Sequence, residues 1–246
     1  MENLKTILDK RLNSIRAEDF IPFDPISIPH RYHRAEDIEL SAFLTAILSW
    51  GRRNMIIRAA DNLLQPMGKN PHAFLLNATD KQLQFSSGFT YRTMNDIDML
   101  FLLKSLQQVY QNHDSLQHFF IDKTILDGLQ DLRSALLAYP HEKRSEKHIA
   151  NVRKKAAAKR LNMFLRWMVR TDTLDIDFGI WNKVSPADLI IPLDVHTANS
   201  ARYFGLTSRK QNDLTCAIEI TNQLKNFDEN DPIKYDLALF LNDNPK

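Results

Sequence analysis

The sequence predicts an all-α fold, and three observations carry that prediction. Apolar residues recur at helical spacing in one segment after another. No alternating apolar and polar run lasts long enough to argue for a sheet. Six glycines in 246 residues, against a usual share of about 7%, leave no room for a glycine-rich phosphate loop or a dinucleotide-binding fingerprint.

The elements follow in chain order. Asn3 to Arg16 reads as a helix with Leu4, Ile7, Leu8, Leu12 and Ile15 on one face, and the proline-rich FIPFDPISIP after it reads as an extended connector. Ala35 to Trp50 carries Ile38, Leu40, Phe43, Leu44, Ile47 and Leu48 around most of its circumference, which predicts a central helix closed at Gly51. Further helical patterns run over Asn54 to Gln65, Asn95 to Tyr110, Ser115 to Ile121, Ile125 to Ala138, Lys154 to Arg170 and Asn212 to Lys225. A last helix opens with Asp231 as cap and Pro232 at the first helical position.

Composition narrows the function classes. A chain that is 43% hydrophobic and 25% charged can bury a full core, as one large domain or two intimate lobes. No apolar run approaches a bilayer-crossing length, and MENLKTILDKRLNSIR lacks the apolar middle of a signal peptide, so a cytoplasmic protein with no membrane association is expected. The single Cys216 excludes an internal disulfide framework, a thiolate zinc cluster and a four-cysteine iron–sulfur site. His30 and His33 in PHRYHR have no paired carboxylate, so neither a metal nor any other cofactor is expected.

Charge is distributed unevenly. Glu142 to Arg170 holds ten Lys or Arg against two acids, a local +8, which leaves −6 for the rest of the chain. On a helix from Lys154 to Arg170, Lys159, Met163, Arg166 and Arg170 fall on one face with Asn162 alongside, while Leu161, Phe164, Leu165 and Met168 lie opposite. This reads as an apolar face for the core and a basic stripe, either simply solvated or meeting a polyanion. Arg166, beside Trp167, has a structural reading too, as an arginine held by a buried acid. Lys159, among Lys154, Lys155 and Arg160 at a helix start, is expected to have a lowered pKa and hence a more nucleophilic amine. As a lone lysine, it equally reads as a phosphate contact.

IIPLDVHTANSARYFGL, Ile190 to Leu206, has two readings as well. Asp194 is an N-cap and Gly205 a left-handed helix closure. A carboxylate so fixed after an apolar segment can also face a site and stabilise positive charge there.

A lysine opening an apolar helix, followed by extended Ile-Pro-Leu-Asp, then Val-His and a short helix closing on Gly-Leu, resembles the helix-hairpin-helix DNA glycosylases. KRLNMFLRWMVR, DIDFGIW from Asp175 to Trp181, IIPLDVHTANSARYFGL and DPIKYDLALF also resemble an uncharacterised bacterial family of unknown function, over most of the chain. In spacing, the archaeal 8-oxoguanine-type glycosylases are the more similar. The chain departs from the glycosylase pattern in having no glycine between Gly128 and Gly179, where the hairpin turn before the lysine usually carries one, and in the long interval from Lys159 to Asp194.

The resemblance implies a single glycosylase-like unit over residues 1–246, made of two closely packed helical lobes. It implies a monomer that acts on double-stranded DNA containing a damaged base, an oxidised purine among the candidates. Lys159 and Asp194 would be catalytic, the lysine attacking the sugar C1′ and the aspartate stabilising the cationic sugar. Lys154, Lys155, Arg160, Arg166, Arg170 and His196 would contact DNA, and Trp50, Met163, Tyr235, Asp236 and Phe240 would line the base pocket. For each pocket candidate, core packing is the competing reading. Two other function classes stay open: a non-catalytic nucleic-acid module on the same fold, and a protein whose basic helix meets an acidic protein.

Overall fold

The computed structural model describes residues 3–171 and 174–240, and the described chain is helical almost throughout. It divides into two compact units, one made of Met1–Phe20 with Asn151–Lys246 and the other of Ile21–Ala150.

The first unit opens with α1 (Leu4–Asn13), whose start is fixed by the Asn3 side chain accepting from the Lys5 N–H at 3.2 Å. A single turn, α2 (Ala17–Phe20), ends this segment.

In the second unit the proline-rich stretch is not extended. It forms three short 3-10 turns between Ile21 and Arg31, because the φ that proline imposes suits a 3-10 turn as well as an extended chain. α3 (Ala35–Leu48) is buried on every side from Asp37 to Leu48, as its all-round apolar pattern predicts. It ends two residues early, where the Ser49 N–H turns back to the Ala46 carbonyl. Its buried Glu39 accepts from Tyr110 Oη (3.0 Å), Ser115 Oγ (2.5 Å) and the Leu116 N–H (2.9 Å), so both carboxyl oxygens have hydrogen-bond partners within the protein.

Next come α4 (Arg53–Leu64) and the short α5 (Pro71–Asn77) and α6 (Asp80–Leu83), which are too brief to leave a period. β1 (Thr90–Tyr91) pairs antiparallel with β2 (Met94–Asn95), a ribbon too small to register as alternation. α7 (Asp96–Asn112) starts on a capping box between Asn95 and Asp98. Ser115 to Ile121 is a 3-10 turn over Leu116–Phe120 rather than an α-helix.

α8 (Ile125–Leu137) packs against that turn through Gly128. A Cβ there would sit 2.3 Å from the Phe120 ring. Gly128→Ala is therefore expected to destabilise the protein by about 1–3 kcal/mol despite alanine's better helix propensity. A rise in thermal midpoint for this variant would refute the contact.

The chain then returns to the first unit. α9 (Lys159–Val169), α10 (Val195–Tyr203) and α11 (Leu214–Lys225) follow, and a 3-10 turn (Pro232–Tyr235) runs into α12 (Asp236–Phe240). Tyr235 Oη donates to Asp9 Oδ1 at 2.9 Å, which ties this last segment to α1. Among the described residues, no helix is long and apolar enough to cross a membrane.

Candidate functional site

The start of α9 differs from the periodicity reading. Val152–Lys154 is a separate 3-10 turn, Lys155 takes a left-handed conformation (φ 59°, ψ 24°), and Ala158 takes another (φ 50°, ψ 35°). The helix begins only at Lys159. Tertiary bonds hold these conformations against the helix propensity of the alanines. Asn162 Nδ2 donates back to the Ala157 carbonyl at 3.0 Å, and the Leu214 N–H donates to the Lys155 carbonyl at 3.0 Å. Lys154 and Lys155 therefore sit exposed on a turn ahead of the helix rather than on its first face.

Lys159 is half-buried at the first position of α9, and its Nζ lies 4.0 Å from Asp194 Oδ2. Asp194 divides its two oxygens. Oδ1 accepts the Thr197 N–H at 2.9 Å and caps α10, as the sequence predicts, while Oδ2 faces the lysine. The left-handed Gly205 (φ 70°) closes the far end, and the Leu206 N–H reaches the Ala201 carbonyl at 2.8 Å. The side chains of the pair keep 30% and 23% of their exposure, so both groups remain accessible to a ligand.

The basic stripe is corrected. Arg166 and Arg170 are 4% and 3% exposed and point into the unit. Arg166 Nε pairs with Asp177 Oδ1 (3.2 Å) and its Nη1 with Asp236 Oδ2 (2.6 Å). Arg170 Nη1 meets Asp177 Oδ2 at 2.5 Å, and its Nε and Nη2 grip Asp231 at 2.8–3.1 Å. Burial works against the Arg170 charge, but its bonds to Asp231 and the field of Asp177 outweigh it and raise its pKa. Neither arginine is available to a phosphate, and the structural reading of Arg166 holds. Asp231, expected as a helix cap, makes no side-chain capping bond; it serves Arg170 instead. Arg160 is half-buried, with its pKa lowered to about 10 by desolvation.

Of the pocket candidates, Met163, Tyr235 and Asp236 are buried, at 8%, 0% and 5% exposure. Phe240 is half-buried, with its ring edge-on to the exposed His196 at 6.1 Å. Trp50 belongs to the Ile21–Ala150 unit, where Arg92 lies 4.5 Å over its ring and Tyr91 Oη donates to its carbonyl at 2.9 Å. Among the described residues, no group of three or more His, Cys, Asp or Glu is placed to hold a metal ion.

Asp236 links the buried network to the half-exposed pair. Burial raises its pKa to about 6; Arg166 opposes that shift, the Asp194 charge adds to it, and Lys159 opposes it. A carboxyl with its folded pKa above its unfolded value contributes stability that is complete below pH ~4 and lost as pH rises through ~6. Thermal melts of the wild type and Asp236→Asn from pH 4 to 8 should thus show the wild type losing ground to the variant between pH 4 and 6, with a constant difference above pH ~7. A difference that is flat throughout would remove the shift.

Neither Asp177 nor the left-handed Lys155 and Ala158 could be singled out from sequence. Asp177 lies in an apparent loop, and alanines give no sign of a helix break.

A family model described as Protein of unknown function (DUF2400) matches residues 24–243. No curated protein and no solved structure matches the chain.

Proposed function

We propose, for a chain that belongs to the DUF2400 family of proteins of unknown function, the removal of a damaged base from DNA with cleavage of the strand by lyase chemistry. The reading is carried by one observation: an amine and a carboxylate, each at the start of a different helix, held 4.0 Å apart and both open to solvent.

In this mechanism the target nucleotide leaves the duplex stack, at a cost of a few kcal/mol. Lys159 Nζ, deprotonated, attacks C1′. The glycosidic C1′–N bond breaks with its electron pair going to the base, which takes up a proton. The nitrogen, now cationic, gives up one proton, the C1′–O4′ bond breaks with its electron pair going to O4′, and O4′ takes up that proton, so the ring opens and a protonated iminium joins Nζ to C1′. A proton then leaves C2′, and the C3′–O bond breaks to release the phosphate. Asp194 Oδ2 stabilises the cationic sugar, and Oδ1, engaged by the Thr197 N–H, keeps that oxygen in place.

Borohydride trapping tests this on duplexes containing 8-oxoguanine, uracil or an abasic site. A covalent adduct that requires Lys159 supports the reading, and the duplex trapped identifies the lesion class. No adduct on any duplex, with DNA binding retained, rules out the Schiff base and leaves a reader of DNA or a monofunctional glycosylase, with Asp194 the residue to test next.

A further inference from the structure

With Arg166 and Arg170 buried against acids, the exposed cations that the +8 stretch contributes to this unit lie on the turn ahead of α9. Arg153, Lys154 and Lys155 are consecutive and exposed there, and none makes an ion pair among the described residues. Lys155 holds a left-handed conformation that glycine would adopt without strain, so a cation occupies a position where backbone preference disfavours it.

A second segment is bound to this turn. The Lys155 carbonyl accepts the Leu214 N–H, and the loop before Leu214 is braced from beneath by one guanidinium. Arg202 donates to the Arg209 carbonyl at 2.7 Å, to the Lys210 carbonyl at 3.1 Å and to Asn212 Oδ1. Arg209 spends its own charge on Asp213 at 2.8 Å. Lys210, between these anchors, is exposed and makes no ion pair among the described residues.

We propose that Arg153, Lys154, Lys155 and Lys210 form one basic ridge, built from two chain segments, that grips the phosphodiester backbone of a nucleic acid. The proposal rests on the nucleic-acid reading of this unit, though not on the chemistry of Lys159. Exposed cations on a backbone held by hydrogen bonds suit phosphate contacts, which position a duplex without reading its bases. A protein partner would need an apolar or aromatic anchor at the centre of the patch. None of the four side chains supplies one, and the exposed neighbours of Lys210 in its loop are Ser208, Gln211 and Asn212.

The test is fluorescence anisotropy of the full chain with an undamaged duplex, titrated from about 50 to 200 mM salt. Each phosphate contact adds roughly 0.9 to the slope of log affinity against log salt. Lys155→Gly should lower that slope by about 1 while leaving the thermal midpoint equal or higher, because glycine relieves the left-handed strain. Lys210→Glu and Arg153→Glu should each weaken binding by roughly tenfold or more. Wild-type affinity and slope in both charge-reversal variants would overturn the ridge. So would capture of a labelled polyglutamate peptide with no binding of the duplex. Duplex binding by the wild type that weakens in Lys210→Glu and Arg153→Glu, with no trapped adduct on any duplex, would defeat the catalytic reading and support the ridge.

Discussion

Arg166→Ala is expected to destabilise the protein by about 3–5 kcal/mol, the range for breaking a buried ion pair from one side. The variant leaves Asp236, 5% exposed, without the guanidinium that meets it at 2.6 Å, and strips Asp177 of one of its two arginines. Asp177 keeps Arg170, so the loss concentrates on Asp236. Its pKa, already near 6, should rise further once Arg166 no longer opposes burial. Protonation then limits the damage, and the destabilisation should be larger at pH 8 than at pH 5. Denaturant melts at the two pH values give both numbers, and Asp236→Asn in the Arg166→Ala background should recover part of the loss. A variant that kept its stability but lost duplex affinity would instead restore Arg166 to the surface as a phosphate contact.

Lys159→Gln should abolish borohydride trapping while duplex affinity stays within about tenfold, because one phosphate contact is worth on the order of 1 kcal/mol. Stability should barely move. The pair with Asp194 is 4.0 Å long and partly exposed on both sides, and such pairs contribute about 0–1 kcal/mol. Loss of the adduct in this variant would therefore report chemistry rather than unfolding. If affinity and trapping fell together by a large factor, Lys159 would be a binding residue and the nucleophile would lie elsewhere.

Much of this architecture was legible in the sequence wherever the signal was local. The all-round apolar pattern of α3, the Asp194 cap and the Gly205 closure depend on residues within a turn of one another. The failures involve partners far along the chain. Arg166 and Arg170 sit where helical periodicity assigns them to solvent, and the acids that draw them inward, Asp177, Asp231 and Asp236, are 7 to 70 residues away. The break before Lys159 was hidden for the same reason. Ala156 and Ala157 favour helix, and bonds from the Leu214 N–H and the Asn162 side chain help to hold the chain unwound there.

The unit that carries Lys159 and Asp194 is discontinuous, made from Met1–Phe20 and Asn151–Lys246 around the contiguous Ile21–Ala150. Its hydrogen bond from Tyr235 to Asp9 spans 226 positions of chain. During synthesis the inserted unit is complete before most of its host has been made, and α1 must wait for nearly the last described residues to arrive. Closing so long an interval costs entropy that grows with the logarithm of its length. Folding of the inserted unit, Ile21–Ala150, withdraws its own residues from this search. The unit that holds the half-exposed pair is thus assembled from two stretches that synthesis separates by the whole of the other unit.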